Sequence, residues 1–171
     1  MMDKNQPYHE KGLTVCFTGH RQIPYADAVK LPALLEGVLI GLIGRGATVF
    51  RAGGAIGFDT VAALKVLELR EKYPHIRLEL VLPCRNQTEH WEGAAVRTYR
   101  YILERADDAR FLFDTYFDGC MLERDRRLVE GSDVCVAYCT RSRGGTAYTF
   151  AHALREGLEV INLNDLMPSY I

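Results

Sequence analysis

Six short, predominantly apolar runs, separated by stretches with helical spacing, constrain this chain more than any other feature. The runs are residues 13–17, 47–50, 77–82, 109–113, 134–138 and 159–163. A strand with one face in the core alternates apolar and polar residues, whereas a strand covered on both faces is apolar throughout. Helical spacing fills residues 26–43, a stretch from near Thr60 to the Tyr73-Pro74 turn, and residues 91–106, 118–130 and 146–156. In the second of these, Val61, Leu64, Leu67 and Leu69 mark the apolar face, and Pro83 is expected to close the third strand. Buried strands alternating with helices predict an α/β fold, a mainly parallel sheet with helices on both faces.

In such a sheet a ligand sits beyond the carboxyl ends of the strands, near the point where strand order reverses. The polar and glycine-rich segments of this chain, residues 18–21, 53–59, 84–90 and 141–146, all follow strands. Gly53, Gly54 and Gly57 let the backbone come close to a ligand just before a helix N-terminus, an arrangement suited to phosphate. Asp59 is either the N-cap of that helix or an acceptor for a ribose hydroxyl; the plainer alternative for the whole loop is a tight strand-to-helix turn. Thr18, Gly19, His20 and Arg21 place a hydroxyl, an imidazole and a guanidinium beyond the first strand. Arg21 suits bidentate phosphate binding and His20 suits base recognition or proton transfer, against the alternative of a capped, solvated turn. Gln87 is a candidate ligand donor, while the lone tryptophan, Trp91, reads as packing. Arg124 lies four residues before Leu128 in a charge-dense helix, so it falls near the buried boundary and needs an anionic partner. Gly144, Gly145 and Thr146 open the last helix as a second candidate phosphate cradle.

Composition excludes several classes. A formal net charge of −1 over 171 residues gives no general attraction to nucleic acid or anionic membranes. No apolar run reaches membrane-spanning length. The five cysteines form no CxxC pair and no metal spacing, so no metal is predicted, and their odd, scattered number fits a reducing cytoplasm. Residues 1–12 read as a flexible polar tail without a secretory leader, and residues 13–171 as a single domain.

The ordered set Ala52-Gly-Gly-Ala-Ile-Gly-Phe-Asp59, Arg124-Asp-Arg-Arg-Leu-Val and Gly144-Gly-Thr146 resembles the SLOG superfamily, which includes DprA and the LOG phosphoribohydrolases. Thr18-Gly-His-Arg21, Leu82-Pro-Cys-Arg-Asn-Gln87 and Tyr73-Pro74 look closest to its YpsA-like branch, a bacterial group of unknown function. The resemblance spans Leu13 to Leu163. It implies a Rossmann-like three-layer sandwich and a nucleotide-binding module or sensor, with a ligand of the ADP-ribose or NAD type. It also implies a homo-oligomer. Two alternatives come with it: a LOG-like N-glycosidic hydrolase, and a DprA-like single-stranded DNA binder. LOG enzymes carry a catalytic glutamate in a PGGxGTxxE motif; here Ala147, Tyr148 and Thr149 follow Gly145-Thr146, with no carboxylate.

Overall fold

The structure, a computed structural model, describes residues 12–168. The expected tail therefore lies, but for Gly12, outside the described residues. The elements alternate as the apolar runs require: β1 (Leu13–Gly19), α1 (Tyr25–Gly44), β2 (Ala47–Ala52), α2 (Phe58–Lys72), β3 (Arg77–Cys84), α3 (Gly93–Arg105), β4 (Asp108–Phe113), α4 (Cys120–Val129), β5 (Val134–Tyr138), α5 (Gly145–Arg155) and β6 (Glu159–Asn162). A short 3-10 turn, Leu163–Leu166, follows. The six strands form one sheet in the order β4-β3-β2-β1-β5-β6, and every pairing is parallel. This is a Rossmann-like α/β fold.

The strands sort their side chains by period two between two cores. Val15, Phe17, Phe50, Leu78, Leu80, Val136 and Tyr138 face the larger core with α1, α2 and α3. Cys16, Val81, Cys135 and Ala137 face a smaller one with Leu128 and Val129 of α4 and Ala153 of α5. Both faces are covered, which is why the strands are predominantly apolar, most completely in β5, while charged residues fall on the outer strands and toward strand ends. Cys16 and Cys135 are accordingly small core residues, 1% and 0% exposed.

Two local expectations change. β3 continues through Pro83 to Cys84, because its ladder with β2 ends at Leu80 while pairing with β4 persists to Phe113. With β2 no longer alongside, the missing proline N–H costs no ladder bond on that side. The helix after the glycine loop starts at Phe58, not near Thr60, and its buried face uses Phe58, Val66 and Leu67, while Leu64 points outward. Phe58, Ala62, Val66 and Leu69, spaced by four, four and three, share one helical face, and Leu64 lies off it.

Chain order explains where a site can form. From β1 the chain steps outward through β2 and β3 to β4, then returns to place β5 on the other side of β1. The reversal falls between β1 and β5, whose carboxyl ends carry the 18–21 and 141–146 segments.

Candidate functional site

A cavity of about 400 Å³ lies at that reversal, with walls from β1, the β2–α2 loop, α4 and the start of α5. It is of the size that accepts a small organic ligand. Of the residues anticipated from sequence, it brings together Thr18, Gly19, His20, Arg21, Asp59, Arg124, Gly145 and Thr146. Gly53, Gly54, Gly57, Gln87 and Gly144 are not among its lining residues.

The glycine loop after β2 is packed against protein. A Cβ on Gly53 would lie 2.6 Å from the Arg124 guanidinium, and one on Gly57 would lie 2.3 Å from the Arg21 carbonyl oxygen. Gly57 also adopts φ +82°, a left-handed backbone that glycine takes without penalty. Gly54 sits against Leu82, where Gln87 Nε2 donates to the Gly54 carbonyl at 3.3 Å. The α2 N-terminus is likewise engaged: the Phe58 N–H donates to the His20 carbonyl at 3.1 Å. Asp59 is not the N-cap, which is Gly57. It lies inside the first turn of α2, where its Oδ2 accepts from the Ala55 N–H at 3.2 Å.

The start of α5 differs. Its first intrahelical bond runs from the Tyr148 N–H to the Gly144 carbonyl, 3.0 Å, so the N–H groups of Gly145, Thr146 and Ala147 precede the ladder. Gly145 and Thr146 open on the cavity, where the positive end of the helix dipole is directed.

Charge in the cavity is arranged in two layers. At the base, Arg124 is 5% exposed; its Nε donates to Asp125 Oδ1 at 2.7 Å and its Nη1 donates to the Gly53 carbonyl. The carboxylate partner that this arginine required is thus its own sequence neighbour. Asp59, 6% exposed, stands at the same base; burial pushes its carboxyl up to about 6, against the opposing pull of Arg124 and the Ala55 N–H. At the rim lie Arg21 and Arg141, both exposed and neither in an ion pair among the described residues.

His20 has a defined protonation. Its Nε2 accepts from the Thr140 N–H at 2.9 Å, and a backbone amide only donates, so the imidazole is neutral with its proton on Nδ1. Burial, and then the neighbouring Arg141 charge, hold its pKa below the ordinary value. His20 thus fastens the β1 and β5 loops together across the reversal. Beneath it, an aromatic series holds the floor: His20 on Tyr138 (5.6 Å between ring centroids), Tyr138 on Phe58 (6.0 Å) and Phe58 on Phe17 (6.3 Å). Phe58 reaches that place because Gly19 has no side chain; a Cβ there would lie 2.3 Å from its ring. Such ring pairs add about 0.5–1.5 kcal/mol each beyond burial. Tyr138 then donates its hydroxyl proton to Asp27 on α1.

Four further residues line it, Arg141, Asp125, Met121 and Gln22. Arg141 belongs to the 141–146 segment expected at this edge, and Asp125 is, with His20 and Asp59, a group the sequence offers in place of the absent glutamate. Nothing in the sequence singles out Met121 or Gln22 as site residues. Arg141 stands three residues past a buried strand, and Asp125 adjoins an arginine that needed a partner. Among the described residues no cluster of His, Cys, Asp and Glu is arranged to hold a metal ion, and no helix is long and apolar enough to cross a membrane.

Comparison with known proteins agrees with the fold. The chain is similar to DNA processing protein A of Streptococcus pneumoniae, with a TM-score of 0.65 and 18% identity, covering 94% of this chain and 52% of that one. It is similar to the same protein of Helicobacter pylori, solved for its single-stranded DNA binding mode, with a TM-score of 0.64 and 17% identity over 87% of this chain and 64% of that one. Among sequences, a UPF0398 protein of Brevibacillus brevis is 32% identical over 56% of this chain and 52% of its own length. Another, from Halalkalibacterium halodurans, is 29% identical over 82% and 72%. The chain spans about half the length of the Brevibacillus relative and of the pneumococcal structure. The model of the YspA SLOG family matches residues 15–162. By that match, which covers most of its length, the chain belongs to the YspA SLOG family.

Proposed function

We propose that the protein binds a nucleotide or nucleotide derivative, of the ADP-ribose or NAD type, in the cavity at the β1–β5 reversal. The observation that carries this reading is the pairing of two unpaired rim arginines, Arg21 and Arg141, with the open N-terminus of α5 at Gly145 and Thr146. Guanidinium groups and unspent helix N–H groups converging on one cavity suit a phosphate. Asp59 and Thr18 supply acceptors for sugar hydroxyls, while Gly53, Gly54 and Gly57 shape the wall through close packing. A cytoplasmic location and a homo-oligomeric state belong to the same proposal; five free cysteines support the first. Binding is tested by thermal shift against AMP, ADP, ADP-ribose and NAD. One or more should raise the melting temperature in wild type and not in Arg141→Ala; flat curves at millimolar nucleotide sink the reading.

One observation favours a second reading, cleavage of an N-glycosidic bond. Asp59, with its carboxyl pushed to about 6, stands in the same cavity as Asp125, in place of the absent glutamate. Carboxyls tuned toward neutrality serve as general acids or bases. Free base released from AMP by wild type and not by Asp59→Asn supports it; no release over a day at high protein concentration removes it.

A further inference from the structure

A second cavity of about 400 Å³ adjoins the first, beyond the carboxyl ends of β5 and β6. Arg141 lines both. The first turn of α5 separates them: Gly145 and Thr146 face the first cavity, Ala147 and Phe150 the second. The wall of the second is braced by Asn162, whose Oδ1 accepts from the Cys139 N–H (3.1 Å) and the Asn164 N–H (3.3 Å) and whose Nδ2 donates to the Cys139 carbonyl (2.9 Å). That clamp consumes the amide and fixes the end of β5. It leaves the exposed Ser142 hydroxyl and Asp165 carboxylate on the rim, with Phe150 half-buried below. Asp165 enters no ion pair among the described residues.

One cavity of this size houses a mononucleotide; two, sharing a cation and flanking one helix N-terminus, suit a ligand with two arms and an anionic bridge. We infer that the ligand is a pyrophosphate-bridged molecule straddling the first turn of α5. Its nucleoside arm fills the first cavity, its pyrophosphate meets Arg141 and the N–H groups of Gly145 to Ala147, and its second arm, a sugar, fills the second cavity. There the Asp165 carboxylate accepts from vicinal sugar hydroxyls, an acceptor-only group matched to donors. This inference rests on the nucleotide reading above, and it adds the second cavity, with Asp165, as the place of the ligand's second arm.

Isothermal titration of wild type and Asp165→Asn with AMP and with ADP-ribose tests it. Asp165 is exposed, so the variant should fold, as an unchanged melting temperature confirms. Wild type should bind ADP-ribose at least about ten-fold more tightly than AMP. Asp165→Asn should weaken ADP-ribose about ten-fold, the effect of one lost charge-assisted hydrogen bond, and leave AMP unchanged. If AMP binds as tightly as ADP-ribose, or the variant binds both as wild type does, the two-cavity inference is overturned while nucleotide binding stands. If neither ligand binds wild type, both readings fall.

Discussion

Replacing Asp59 with asparagine should remove a pH dependence that burial has built into the fold. The carboxyl is 6% exposed and its pKa is pushed from 3.8 to about 6. That difference of about 2.2 pH units corresponds to about 3 kcal/mol at about 1.36 kcal/mol per unit. The sign follows from proton uptake. Between pH 3.8 and about 6 the folded state holds a proton on Asp59 that the unfolded chain has released, so stability declines as pH rises through this window and is flat above it. At pH 7.5 the full cost of the buried charge is present. At pH 5 about 1.4 kcal/mol of it has been recovered in wild type, and none is available to the asparagine variant. The gap in stability between the two proteins should therefore shift by about 1.4 kcal/mol between pH 7.5 and pH 5. For a chain of this size the gap in melting temperature should move by about 3–6 °C. The absolute stability of the variant is a poorer readout, because asparagine keeps an acceptor for the Ala55 N–H but brings an amide that needs its own partner. Calorimetry of both proteins at matched ionic strength is the assay. Parallel melting temperatures across the range would show that Asp59 titrates alike in the folded and unfolded chains and would refute the reasoning.

Other outcomes follow from the same geometry. Arg124→Ala leaves the buried Asp59 and the partly buried Asp125 without their cation and should cost about 3 kcal/mol in urea unfolding; a loss below about 1 kcal/mol would mean that the pair is not structural. Gly57→Ala should destabilise by more than about 2 kcal/mol, since the new Cβ meets the Arg21 carbonyl at φ +82°. Gly46→Ala, at φ +101° in open space, should cost only about 1 kcal/mol, and equal costs would remove the steric argument. Nitrogen NMR of His20 should report a neutral ring with the proton on Nδ1 at pH 6.5. Because its pKa lies below the ordinary 6.5, it contributes stability above that pH that is lost as pH falls through the folded value. A ring already protonated at pH 6.5 would break the proposed link to Thr140.

The sheet was legible because burial on both faces writes itself as short, predominantly apolar runs, and each run marks a strand. The site was legible by position, since loops after parallel strands converge whatever their detailed shape. Side-chain roles within it were less so. Gly53 and Gly57 looked like ligand-facing glycines, and what requires glycine there is the approach of Arg124 and of the Arg21 backbone. Asp59 read as either an N-cap or an acceptor for a ribose hydroxyl; only the start of α2 at Phe58 shows it buried in the first turn. That start was hidden because Phe58 packs onto Gly19, a contact between residues 39 positions apart that no local spacing reveals. Arg141 was legible only as part of the 141–146 segment, because a loop arginine gives no periodic signal and its place depends on the β1–β5 reversal.

The central claim is that one cavity at that reversal binds nucleotide, and amide NMR of labelled wild type during titration with ADP-ribose tests it most directly. The account predicts saturable shifts concentrated at Thr18 to Arg21, Arg141, Gly145 and Thr146. Unmoved amides at millimolar ADP-ribose, or shifts gathered instead on the α2–α3 face around Leu64, Tyr101 and Arg105, would contradict it.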